Sequence, residues 1–326
     1  MEERFLVTGA TGCIGAWVVR TLIREGAFTA VFVRGGDLHR LRLIMEEDEI
    51  SRTRFITGDI TDIDVIQRAL AENGITRIIH LAAMQLPFCK ADPPLGAAVN
   101  VQGTVNVFEA AKRCAIKHVV FASSTAVYGP RDQYPTGPLA HDAPLDPRSH
   151  YGVYKQANEG TAGVYWTEDG ISSVGIRPYV VYGPGRDQGL TSTPTKAMLA
   201  AAAGKPYHIT YGGRFGFQYA DDTAGAFIGA ARVAIEGAQV FNLGGETVDI
   251  REVIREIEAA EPALRGRITH DEEPLPFPEE IDNAPLVTLL GGLRITPLGS
   301  GVRETISIFK KALSDGRISA EGVQSP

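Results

Sequence analysis

Positive charge is in deficit here: 32 Lys and Arg stand against 39 Asp and Glu, a formal net charge of −7 over 326 residues. That excludes nucleic acid and anionic membrane as main partners, because both are held through clustered positive charge. Cysteine is scarce and odd in number. Cys13, Cys89 and Cys114 are widely spaced and form neither a disulfide framework nor a CxxC metal pair. No metal is expected, and a reducing, cytoplasmic setting fits. No apolar run approaches the roughly 18 residues needed to span a bilayer. The richest stretch, Met198–Ala203, is short and flanked by Lys196 and Lys205. The first apolar strand opens at Arg4-Phe5-Leu6-Val7 with no basic and apolar leader before it, so no secretory signal is expected. Low-complexity segments and short-period repeats are also missing.

What is present is ordinary globular material, 44% hydrophobic and 22% charged, enough for one large or two modest domains. Short apolar runs alternate with amphipathic stretches. Strands are expected at Phe5–Val7, Ala30–Val33, Arg54–Thr57, Arg77–Leu81, His118–Ser123 and Ile171–Arg177. Helices are expected at Ala16–Glu25, Asp64–Asn73, Asn100–Arg113 and Tyr151–Thr167. Continuous apolar strands alternating with helices predict an α/β fold of the Rossmann type, a doubly wound parallel sheet. After Pro178 glycines and prolines break the pattern, although Val240–Leu243 still reads as a sheet strand. The expected division is a dinucleotide-binding domain over 1–181 and 239–245. A smaller α/β C-terminal substrate region covers 182–238 and 246–326. Ser314–Pro326 reads as a frayed tail.

Thr8-Gly9-Ala10-Thr11-Gly12-Cys13-Ile14-Gly15 lies between the first strand and the first helix. Glycines at 9, 12 and 15 permit a tight turn, close backbone approach to a pyrophosphate and close helix–strand packing. The helix N-terminus that follows offers free N–H groups and a positive dipole end to phosphates. The loop therefore predicts NAD or NADP. The second strand ends Val33-Arg34-Gly35-Gly36-Asp37, with Arg34 where an acid would favour NAD. Arg34, supported by Arg40 or Arg42, suits a 2′-phosphate and leans to NADP, while Asp37 remains in reach of a ribose.

Tyr151 and Lys155 are four residues apart at the start of a helix, on one face. A tyrosine phenol has a pKa near 10 and is a poor base at neutral pH, but a neighbouring ammonium favours the phenolate. Such a phenol takes a proton from an alcohol as hydride leaves the same carbon, or returns one to a carbonyl. Ser123-Ser124-Thr125 ends the fifth strand, where strand carboxyl ends face the ligand crevice. One of these three hydroxyls is expected to hold the substrate oxygen.

Together these segments resemble the extended short-chain dehydrogenases/reductases, the NAD-dependent epimerase/dehydratase family. The matching segments are Thr8–Gly15, Gly58-Asp59-Ile60, His80-Leu81-Ala82-Ala83, Asn100–Thr104, Ser123–Gly129, Tyr151–Lys155, Arg177-Pro178 through Pro184, and Asp221-Asp222. They run in the family's order through about three quarters of the chain. The resemblance implies Ser124, Tyr151 and Lys155 as the catalytic set. It implies cofactor contacts at Gly9, Thr11, Gly12, Cys13, Ile14, Gly15, Arg34, Asp59, Ile60, Leu81, Ala82, Ala83, Tyr151, Lys155, Pro178, Val180 and Val181. Asn100 matches a structural asparagine. Met84, Gln85, Ser124, Thr125 and Arg186 are candidate substrate contacts. A homodimer through the helices at 100–113 and 151–167 is also implied.

Three departures narrow the expectation. Val180 and Val181 stand where nucleotide-sugar members carry an asparagine near the substrate diphosphate. Arg214 is displaced by one from the arginine that precedes the Asp-Asp pair in those members. Thr125-Ala126 replaces the acids that dehydration needs. The leading expectation is therefore an NAD(P)-dependent oxidoreductase acting on a hydroxyl or carbonyl carbon of a sugar, sugar acid or related polyol. The alternatives are a UDP-sugar 4-epimerase that keeps its NAD and, from another class, a non-catalytic dinucleotide-sensing protein.

Overall fold

The computed structural model describes residues 2–319. Seven strands form one parallel sheet: β1 (Arg4–Thr8), β2 (Phe28–Val33), β3 (Arg54–Thr57), β4 (Arg77–His80), β5 (His118–Ala122), β6 (Ser172–Pro178) and the late Ala238–Leu243. The spatial order is the last strand, then β6-β5-β4-β1-β2-β3. The order of connection reverses between β1 and β4, which opens a crevice at their carboxyl ends. β1, β5 and β6 are almost wholly buried, as expected of strands covered by helices on both faces.

Helices α1 (Cys13–Arg24), α2 (His39–Ile44), α3 (Glu47–Ser51), α4 (Ile63–Glu72), α5 (Leu86–Ala91), α6 (Pro93–Ala97), α7 (Gly103–Arg113) and α8 (His150–Asp169) follow in chain order. α1 starts three residues earlier than its apolar pattern indicates. Cys13, Ile14 and Gly15 are therefore its first turn. α7 is preceded by a widened turn at Ala98–Gln102, the feature that displaces its start from Asn100. Ser149 caps α8 by accepting from the Gly152 amide, and Gly170, with φ +61°, ends it.

Beyond β6 the chain builds a second lobe. β7 (Val180–Tyr182) pairs parallel with β9 (Arg214–Tyr219), and β8 (Tyr207–Ile209) pairs with a short strand at Ile268–His270. Glu246–Asp249 adds antiparallel to β9. Two expectations about this half need correction. The helix Ala220–Arg232 falls within the expected substrate region, yet it packs on α1 and on β4–β6 of the main sheet. Its Ala-rich buried face is what allows that approach. The expected frayed tail also differs. Ser314 closes a helix that begins at Leu298, Ile318 packs on the core, and Arg317 donates to the Arg42 carbonyl. Residues 320–326 lie outside the described part.

His80 links three elements beneath the crevice. Its ring nitrogens meet Thr8 Oγ1 of β1 at 2.7 Å and Thr104 Oγ1 of α7 at 3.1 Å. Burial, with a smaller contribution from the charge of Lys155, lowers its pKa from 6.5 to about 3. The unfolded chain binds that proton near pH 6.5 and the folded chain only near 3, so stability falls as pH drops through this window. His80→Gln is expected to flatten the pH dependence of the urea midpoint between about pH 6.5 and 4. An unchanged slope would remove His80 from the acid sensitivity.

Candidate active site

The crevice begins at the glycine loop. Gly9 adopts φ +68°, and a Cβ there would lie 2.6 Å from the Ala82 backbone nitrogen. Gly15 is equally constrained, with the Gly9 carbonyl 2.2 Å from where its Cβ would be. Only glycine lets the loop fold against β4 and present the start of α1 to the crevice. Gly12 occupies the N-cap position and supplies no side-chain acceptor, so the first-turn amides are left for a ligand. Burial raises the Cys13 thiol to about 11, so no negative charge forms there at neutral pH. These features fit a dinucleotide diphosphate.

The three candidate hydroxyls separate cleanly. Ser123 donates to Glu159, and Thr125 donates to the Pro178 carbonyl at 3.4 Å. The Ser124 hydroxyl lies beside the Tyr151 phenol, where it lowers the phenol's pKa, and it accepts from the Ala126 amide at 3.1 Å. Gly152 makes that meeting possible: a Cβ there would lie 2.1 Å from the Ala126 carbonyl oxygen, so α8 seats directly on the turn after β5. Lys155 is buried one helical turn on. Its Nζ donates to the Ala122 carbonyl at 2.6 Å and stands 5.6 Å from the centre of the Tyr151 ring.

The electrostatics correct one expectation. The Tyr151 pKa is raised: burial dominates, and the neighbouring Ser124 hydroxyl and the Arg186 charge pull it back only in part. Lys155 itself is lowered to about 8 by burial, offset in part by Cys89 and Glu159. Helical spacing brings the pair together, but desolvation, which spacing does not report, decides the direction, and the cation that lowers the phenol is Arg186.

A buried network lies beneath the site. Glu159, on the same face of α8 as Tyr151 and Lys155, accepts from Arg177 Nε at 2.7 Å and from Nη2 at 2.6 Å. Their side chains are 8% and 5% exposed. Arg177 Nη1 reaches the Tyr128 hydroxyl and the His141 carbonyl, both at 2.6 Å. Tyr128 in turn donates to Asn242 Oδ1 at 2.7 Å. Glu159 escapes a search for YxxxK, although its position one turn beyond Lys155 was a readable signal.

The crevice encloses about 240 Å³. Of the expected site residues, Gly9, Gly12, Cys13, Ile14, Gly15, Leu81, Ala83, Gln85, Ser124, Thr125, Tyr151, Lys155, Pro178, Val180, Val181 and Arg186 line it. Others stand apart. Ile60 is buried and packs on Gly103, while Asp59 accepts from the amide and hydroxyl of Thr61. Met84 is held through its backbone by Asn100. Ala82 donates its amide to Thr8 Oγ1, and Thr11 gives its carbonyl to Arg40. Arg34 is exposed at its strand end. Arg40 and Arg42, its expected supports, are engaged by Asp187 and Glu47. Lining residues that sequence reading missed include Leu86, Pro87, Tyr179, Gly189, Thr191 and Phe277.

The sequence pattern of the NAD dependent epimerase/dehydratase family matches residues 5–244. The chain belongs to that family. It is accordingly an enzyme. It is similar to the UDP-glucose 4-epimerase of Mycolicibacterium smegmatis, with 31% identity over 322 residues covering 94% of this chain and 98% of the relative. Among solved structures it resembles Thermus thermophilus UDP-glucose 4-epimerase in complex with NAD, with 28% identity and a TM-score of 0.77. That match covers 95% of this chain and 99% of the other. A monomeric L-threonine 3-dehydrogenase from a metagenome shares the fold, with a TM-score of 0.81 at 23% identity over 94% of this chain and 99% of the other.

The buried pair makes its own prediction. Glu159→Gln leaves Arg177 without its counter-charge and is expected to lower stability by about 3 kcal/mol in urea unfolding. The double variant Glu159→Leu, Arg177→Met is expected to regain most of that loss while turnover stays low. Full turnover in the double variant would show that the network does not position the site.

Proposed function

We propose that the protein is an NAD-dependent 4-epimerase of a nucleotide-linked sugar. One observation carries the reading: Ser124, Tyr151 and Lys155 line one crevice with a helix N-terminus whose first-turn amides are free for a dinucleotide. Whole-length similarity to a UDP-glucose 4-epimerase supports epimerisation over simple dehydrogenation.

Bound NAD would accept hydride from the carbinol carbon, return it to the opposite face, and in oxidised form place a positive ring beside the phenol. As the phenolate, formed when Tyr151 releases its own proton to solvent with the oxidised cofactor bound, Tyr151 takes the proton of the O4 hydroxyl as that carbon is oxidised and gives it back when the ketone is reduced. Ser124 holds O4 in line with the phenol. Lys155, anchored on the Ala122 carbonyl, carries positive charge under the ring and is in place to hold a ribose hydroxyl. Leu81, Ala83, Pro178 and Val180 exclude water from the reacting carbon.

NAD is preferred to NADP because Arg40 and Arg42, which would support Arg34 at a 2′-phosphate, are engaged by Asp187 and Glu47. A second reading, a dehydrogenase that exchanges its cofactor each turnover, rests on Val180 and Val181. Both are buried and apolar where a substrate diphosphate would seek a hydrogen bond. The two readings differ in whether cofactor survives purification. Among the described residues no helix is long and apolar enough to cross a membrane, and a cytoplasmic location is part of the proposal. So is a homodimer, which would cover exposed Val153, Val164 and Trp166 on α8.

Tyr151→Phe is expected to cut the rate of UDP-sugar 4-epimerisation, followed by chromatography of the epimers, by about 10²–10⁴-fold. NAD content should stay the same. Near-normal turnover would refute the proton-transfer role. Net oxidation of free sugar with released NADH, and no epimer, would favour the dehydrogenase reading.

A further inference from the structure

The wall of the crevice facing Tyr151 is charged in an unusual way for a chain this acidic. The lining holds two cations, Lys155 and Arg186, and no carboxylate. The nearby acids are already engaged. Asp187 pairs with Arg40 at 2.6 Å and His39 at 2.8 Å, and Glu159 pairs with Arg177. Lys155 is anchored on the Ala122 carbonyl.

Arg186 has less. Nη2 donates to Thr191 Oγ1 at 2.9 Å, while Nε is buried with no partner. Among the described residues no carboxylate pairs with it. Two neighbouring groups are also buried and unbonded: Gln85 Oε1 and the Tyr179 hydroxyl. Gly189, with φ +92°, lies between the first two. A Cβ there would sit 2.4 Å from Gln85 Oε1 and 3.3 Å from Arg186 Nη2. A buried guanidinium Nε and buried acceptors with unmade hydrogen bonds are costly unless a ligand completes them. The missing partners are an anion for Arg186 and hydroxyls for Gln85 and Tyr179, which describes a polyhydroxylated acid.

We propose that Arg186 and Thr191 form a carboxylate subsite, with Gln85 beside it to accept from a sugar hydroxyl, and that the substrate sugar is a hexuronate, with a carboxylate at C6, rather than a neutral hexose. The inference rests on the hydride-transfer reading above. Arg186's charge reaches the Tyr151 phenol. Arg186 and Tyr151 line the same crevice, so an anion held at Arg186 shares it with the reacting hydroxyl, as C6 and O4 belong to one sugar. A planar carboxylate matches the guanidinium fork. The cofactor's phosphates have their own donors in the first turn of α1.

The test compares UDP-glucuronate with UDP-glucose as epimerisation substrates of the NAD-loaded full chain, in wild type and Arg186→Gln. Bound NAD is measured alongside. Wild type is expected to prefer the uronate in kcat/KM, and the variant to lower that preference by about 10- to 100-fold at equal NAD content. A preference for the neutral sugar, or an unchanged ratio in the variant, overturns the subsite. Equal loss on both sugars with reduced NAD content also overturns it and assigns Arg186 to the cofactor's phosphates. A thermal shift by sodium glucuronate over glucose at matched ionic strength, lost in Arg186→Gln, reads the subsite without turnover. If that shift appears while neither nucleotide sugar is epimerised, the subsite stands and the epimerase reading falls.

Discussion

The buried ion pair between Glu159 and Arg177 is the constraint on which the crevice depends. Two ions in a low-dielectric interior are tolerated only when geometry and further hydrogen bonds compensate their lost hydration. Here the guanidinium is shared with the Tyr128 hydroxyl and the His141 carbonyl, and the carboxylate also takes the Ser123 hydroxyl. Through these contacts α8 is fixed to β5 and β6 at one orientation. Ser124 follows Ser123, and Tyr151 and Lys155 precede Glu159 on the same helical face. The network thus sets how the Ser124 and Tyr151 side chains approach each other, although it touches neither.

Charge is arranged against the grain of the whole molecule. The chain is net negative, yet its crevice is cationic because the acids around it are paired off and its own cysteine stays protonated. Arg40 illustrates the economy. It holds Asp187 and donates to the Thr11 carbonyl of the glycine loop at 2.9 Å. Trp17 Nε1 adds a second tie at 2.9 Å, from α1 to the Pro184 carbonyl. The loop that carries Arg186 is thereby joined to the helix that would carry the phosphates.

The sheet was legible because six of its strands are local apolar runs, and the glycine loop because its spacing has few other uses. That Ser124, Tyr151 and Lys155 would share one crevice was legible through motif order. What escaped has a common physical cause. α2, α3, α5 and α6 are five or six residues long, too short for periodicity to show. α3 even carries a capping box, but on Glu46 and Glu49 rather than a Ser or Thr cap. The far wall of the crevice joins residues near 85, 179, 189 and 277, a contact across the whole chain that no local pattern encodes. The direction of the Tyr151 shift depends on burial, which a four-residue spacing does not contain.

The most direct measurement is a crystal structure of the protein with NAD and an unreactive nucleotide-sugar analogue. The account predicts the Tyr151 and Ser124 hydroxyls within hydrogen-bond reach, about 2.6–3.2 Å, of one ring hydroxyl, with the nicotinamide facing that carbon. A sugar seated away from Tyr151, or a dinucleotide that does not lie on the first turn of α1, would contradict it.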